Sequence, residues 1–229
     1  MAPRTKHCFL AATALGLMIA SARRADAGDL TTYTDLGAFQ AATQGLTDVN
    51  FNGIAPPAGF VNFVIPSGYT DAGTGTNFSF PDVPGGDINV TSATYYSVNF
   101  GGPVFPADFL DASGGIPAGA NEVITLPASL TAVGLLFSTF DGMPITFTLS
   151  NGDAFTDSST PTFGKVAFLG FTDTAAFSTL TINDPTSFGP LLLDFKFGAA
   201  AVPEPSSLTL FGIAGLALVG YGWRRRTAG

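Results

Sequence analysis

Almost every residue able to do chemistry in the body of this chain is a carboxylate. Between Gly28 and Val202 stand fifteen acids, from Asp29 to Asp194, against two cations, Lys165 and Lys196, a formal charge of −13. The single histidine and single cysteine, His7 and Cys8, both precede that stretch, which also contains no Arg and no Trp. An imidazole base, a thiol nucleophile, a disulfide and His or Cys metal ligands are therefore excluded from the body. No Gly-x-Ser-x-Gly elbow is present, so serine chemistry reduces to a Ser–Lys pair using Lys165 or Lys196. Lysines solvated on strand faces account for both positions more simply. A body this acidic repels phosphate backbones, which argues against nucleic acid as a partner.

Carboxylates leave two options. A glycosidase needs a pair roughly 5 to 10 Å apart, and fifteen acids offer many pairs. Yet Glu122 is the one Glu of the body, and no Trp platform is available for a sugar. Calcium takes oxygen ligands. Asn151, Asp153 and Asp157 fall near one hairpin, and Asp82 and Asp87 bracket a Gly-rich loop. No Asp-x-Asp-x-Asp-Gly loop occurs, and turn-forming Asp and Asn explain most of these positions. No catalytic, cofactor or metal residue is assigned. Tyr69, Tyr95 and Tyr96 are candidate stacking surfaces for carbohydrate, with burial in a core as the alternative.

The elements that must position these groups are short. Asp35 is placed to cap a helix over Leu36–Thr43, with Leu36 and Phe39 on one face. Elsewhere β-branched and aromatic runs alternate with Gly, Pro, Asn and Asp. Strands are expected at Val49–Asn52, Gly59–Ile65, Thr76–Phe80, Ile88–Phe100, Asn121–Leu126, Ala132–Phe140, Ile145–Ser150, Ala154–Thr156, Val166–Phe171, Ser178–Ile182 and Leu191–Phe197. Ile145, Phe147 and Leu149 alternate with Thr, and Asn151-Gly152 reads as a two-residue hairpin turn in which both residues take positive φ. The fold class this implies is all-β, a jelly-roll-like two-sheet sandwich. Gly198 and the three alanines after it read as a linker.

The termini are more specific. Residues 1–27 have the order of a signal peptide: Arg4 and Lys6, the apolar run Cys8–Ala20, then small residues ending at Ala27. Residues 28–201 form the body, and 202–229 the tail. In the tail, Pro203-Glu204-Pro205 precedes an uncharged run, a transmembrane helix expected over 206–223, and then Arg224, Arg225 and Arg226. From 205 to 223 a helix reaches roughly 28 Å, near the hydrocarbon thickness. The three Arg act as a cytoplasmic stop, which leaves the body outside. The prolines keep the approach to the membrane extended and accessible.

This three-part tail resembles the PEP-CTERM sorting signal, with Pro203, Glu204 and Pro205 as its motif. The resemblance implies a Gram-negative exported protein, recognition by an exosortase-type membrane enzyme, and an association with exopolysaccharide and biofilm. The body is also similar to domains found in such proteins. The shared features are Leu126-Pro127 to Gly134, Ser150-Asn151-Gly152, Phe168-Leu169-Gly170-Phe171 and Asp194-Phe195-Lys196-Phe197-Gly198. The expected function is a non-enzymatic protein, held transiently in the inner membrane and then delivered to the cell surface or extracellular matrix. The body is structural or matrix-associated. A polysaccharide-binding module, with or without calcium, is the alternative, and glycoside hydrolysis a lesser one.

Overall fold

The computed structural model describes residues 29–64, 68–83, 87–113, 117–186 and 189–201. The expected signal peptide, Pro203-Glu204-Pro205, the expected transmembrane helix and Arg224–Arg226 lie outside the described residues. In chain order the elements are β1 (Thr31–Tyr33), α1 (Leu36–Ala41), β2 (Thr43–Asn50), β3 (Phe60–Val64), β4 (Tyr69–Thr70), β5 (Asn77–Ser79), β6 (Asp87–Thr91), α2 (Tyr95–Phe100), β7 (Phe109–Ser113), β8 (Asn121–Ser138), β9 (Ile145–Leu149), β10 (Ala154–Asp157), β11 (Ala167–Asn183) and β12 (Leu191–Ala200). Among the described residues, no helix is long and apolar enough to cross a membrane.

The body is all-β, and its sheets are joined by two long strands. The hydrogen-bonded order is β10-β9-β11-β8-β12-β7-β6-β3, with β1 on β11, β2 on β12 and β5 on β8. Early in β8 the inward residues are Ile124 and Leu126; after Pro127 they are Val133, Leu135 and Phe137. The parity has switched from even to odd. A one-residue slip reverses every side chain, so a strand can bend from one layer into another while keeping its apolar face inward. β11 makes the matching change, from Leu169 and Phe171 to Leu180 and Ile182, with register shifts at Thr172/Phe177 and Phe177/Thr179.

The chain therefore forms two layers that share β8 and β11. Phenylalanines close the space between them: Phe78 meets Phe195 at 5.6 Å and Phe147 meets Phe171 at 5.5 Å between ring centroids. Each such side chain, fully buried, contributes about 1.5–3 kcal/mol.

Glycine explains the expected body motifs. Phe39 of α1 lies across Gly134 and Gly170, which are directly paired on β8 and β11. A Cβ at Gly170 would stand 2.6 Å from the Phe39 ring, and one at Gly134 would stand 3.0 Å away. The slot exists because those side chains are absent. Asp35 caps α1, its Oδ1 accepting from Ala38 N at 2.8 Å.

Several expectations need correction. The run Ile88–Phe100 is a strand only to Thr91, and Tyr95–Phe100 is helical. The Asn151-Gly152 turn has three residues between the paired Leu149 and Asp153, and Gly152 takes positive φ while Asn151 does not. Gly198 to Ala200 is no linker but the end of β12, paired with β2. The strand Phe109–Ser113 was not expected. Phe109, Leu110 and Asp111 in it are buried on both faces, so it shows no polar alternation.

Candidate functional site

Residues 88–107, which carry no charged side chain and hold Tyr95, Tyr96, Phe100 and Phe105, build the surface of interest. Its anchor is Asp108. The carboxylate of Asp108 accepts from Gly53 N and Ala93 N, both at 2.9 Å, while its own N–H donates to Asn52 Oδ1. Phe105 N donates to Ala93 O at 3.0 Å and closes the excursion at its neck. Within it, α2 ends at Gly101, where φ is +65°. Gly101 and Gly102 donate back to Ser97 O and Tyr96 O, the glycine-capped helix end. Asn99 Nδ2 ties the helix to Ala58 O at 3.1 Å.

The adjacent residues Tyr95 and Tyr96 part ways. Tyr96 points to the sheet, stacked on Phe109 at 5.9 Å and 11° and edge-on to Phe163 at 5.2 Å. Its hydroxyl donates to Asp111 Oδ2 at 3.2 Å. Tyr95 points sideways, edge-on to Phe60 at 5.3 Å and to Phe100 at 5.8 Å. Phe100 is 69% exposed and Phe60 41%, and Val98 and Val104 extend the apolar surface.

Beneath and beside the helix runs a polar row. Register places Asn62, Asn89 and Asp111 side by side across β3, β6 and β7, and Phe60, Thr91 and Phe109 in the next row. Val90 and Leu110, between these rows, belong to the inner core, so both rows face outward under α2. Asn62 is exposed at the edge strand, while Asn89 and Asp111 are buried. Thr91 Oγ1 donates to Asp111 Oδ1 at 3.3 Å. Burial raises the Asp111 carboxyl to about 7, the hydrogen bonds from Tyr96, Thr91 and Asn89 pulling the other way. Asn89 Oδ1 and Ser92 Oγ are buried with no hydrogen-bond partner among the described residues.

The other candidates resolve differently. Tyr69 lies in the core against Phe51, Phe63 and Phe78, so it is no stacking surface. Lys196 Nζ lies 2.7 Å from both Asp48 and Asp194. Burial opposes its charge, and the two carboxylates outweigh burial and raise its pKa, the reverse of what a serine-activating base needs. Lys165 is exposed.

Asn151 and Asp153 meet Asp173: Asn151 Nδ2 donates to Asp173 Oδ2 at 2.8 Å, and a hydrogen bond with Asp173 raises the Asp153 carboxyl. Asp157 instead accepts from Ser159 N and Oγ, both at 2.8 Å. Asp82 is exposed, and residues 84–86 between it and Asp87 lie outside the described residues. Among the described residues no group of three or more His, Cys, Asp or Glu is arranged to hold a metal ion. Glu122, pushed up to about 8 by complete burial, follows the inward parity of Ile124. It lies on the other side of the layer from Asp111, so the two raised carboxyls do not face one another across a cleft.

The PEP-CTERM protein-sorting motif matches residues 201–226. No curated protein matches the chain. Among solved structures, CBM35 from Cellvibrio japonicus Abf62 is similar over 63% of this chain and 96% of that one, at 13% identity and a TM-score of 0.34. A likeness that distant carries no argument about a ligand.

Proposed function

We propose that this exported protein, which carries a PEP-CTERM sorting tail, is a non-enzymatic surface or matrix protein whose body binds polysaccharide through the α2 face. The tail is the substrate of an exosortase-type membrane enzyme. Before processing, its apolar helix and Arg224–Arg226 hold the body outside the inner membrane; afterwards the body is free for the cell surface or extracellular matrix.

The observation that carries the binding role is the pairing of exposed Phe60 and Phe100 around Tyr95 with the exposed amide of Asn62 and the Oδ1 acceptor of Asn99, whose Nδ2 is held by Ala58 O and Tyr95 O. A pyranose ring presents an apolar C–H face and a rim of hydroxyls. Aromatic rings cover the first, and amides both donate to and accept from the second. An exposed group of large apolar side chains also needs a reason on a monomer surface. The double variant Phe60→Ala, Phe100→Ala removes the platform without touching the core. In a pull-down on insoluble polysaccharides, the native body is retained on at least one and the variant loses at least tenfold in affinity. Equal retention of both would remove the α2 face from the function.

A further inference from the structure

The last strand runs into the sorting tail without a spacer. Ala199 and Ala200 pair with Gln44 and Thr43 of β2. Ala200 N donates to Thr131 Oγ1 and Ala201 N to Ala42 O, each at 2.8 Å. The sorting motif match begins at residue 201, so its first residue belongs to the folded body. Residues 202–205 separate the body from the apolar run, and fully extended chain covers at most about 3.6 Å per residue, or roughly 14 Å. A membrane enzyme that takes Pro203-Glu204-Pro205 must therefore work beside a rigid domain.

The chain around this exit is unlike the rest of the body. Residues 36–47, which form α1 and the start of β2, carry no charged side chain, and neither do residues 123–140 of β8 and its continuation. Exposed Asp35, the cap of α1, and Asp48, ion-paired with Lys196, bound the first stretch at its two ends, and Asp173 follows Thr172, which pairs with Ala132 of β8. In a body of charge −13, the exit is bordered by small or neutral residues: Gln40, Ala42, Gln44, Ser129 and Thr131. Such a surface meets another protein without desolvating charge.

We infer that this pole, made by the turn from α1 into β2 and the bend of β8, is the surface on which the membrane-embedded sorting enzyme rests while it processes the tail. The short connection enforces the contact, and the neutral pole permits it.

The test uses full-length precursor with an exosortase in vesicles, followed by the mass of the product over time. The exposed positions are changed in Gln40→Glu, Gln44→Glu, and independently in Ser129→Glu, each with an unshifted melting temperature as the sign of intact folding. Each is made with the native junction and with a twelve-residue Gly/Ser spacer after Ala201. At the native junction the pole variants are processed at least fivefold more slowly than the native body, and with the spacer all bodies are processed at one rate. Equal rates at the native junction, or the same slowing with the spacer, would overturn the inference. Slowing that disappears when anionic phospholipid is left out of the vesicles would assign the contact to lipid and overturn it too.

Discussion

Two six-residue helices lie over the outer face of the same sheet, and they do opposite things. α1 is capped by Asp35 and buries Phe39 completely in a slot between two glycines. α2 has no side-chain cap and no fully buried residue, and it displays Val98 and Phe100 at 65% and 69% exposure. The first helix spends its aromatic residue on the fold. The second divides a pair of tyrosines, one held down on Asp111 and one turned to the surface. Short helices gain most of their stability from what they bury, so α2 persists through Tyr96, the Asp108 anchor and the glycine cap, which leaves its other face free for a ligand.

The comparison breaks most visibly at Phe39. Phe39→Ala empties the glycine slot and is expected to cost about 3–5 kcal/mol of unfolding free energy in urea titration, while the folded fraction keeps its polysaccharide binding. Loss of binding with intact stability would mean that α1, not α2, carries recognition.

A smaller effect sharpens the role of Asp111 under α2. Its carboxyl is raised to about 7 in the folded state, so the native protein holds a proton that the unfolded chain has released. Its contribution to stability is thus full below pH 4, falls as pH rises from about 4 to about 7, and is flat above. Each such group contributes at most about 1.4 kcal/mol per pH unit to that slope. Asp111→Asn should leave a shallower decline between pH 5 and pH 7 in urea midpoints, the remainder coming from Glu122, which titrates up to about 8. An unchanged slope would mean that the buried network under α2 does not control its own charge.

Much of this was legible in the residues. Alternation gave the Ile145–Leu149 hairpin strand, and Asp35 and Phe39 gave α1. The tail was plain from Pro203 to Arg226 because its three parts sit in linear order. What sequence hid was anything set by tertiary contact. Tyr95–Phe100 has the aromatic and β-branched composition of a strand, and becomes a helix because Gly101-Gly102 can end one and Phe109 supplies a ring for Tyr96. Phe60 and Phe100 fall within runs expected as strands, and nothing local to those runs marks them as the surface residues they are. Asp111 could not be singled out because its strand is covered on both faces. Asn62 and Asn89 meet it only through strand register, which no local pattern records.

The most direct measurement is a backbone amide titration of the isolated body, residues 28–201, with soluble oligosaccharides from the polysaccharide that retains it. Chemical-shift changes confined to residues 58–62 and 93–101 are the expected result. Changes centred on Asn151, Asp153 and Asp173, or none at saturating ligand, would contradict the account.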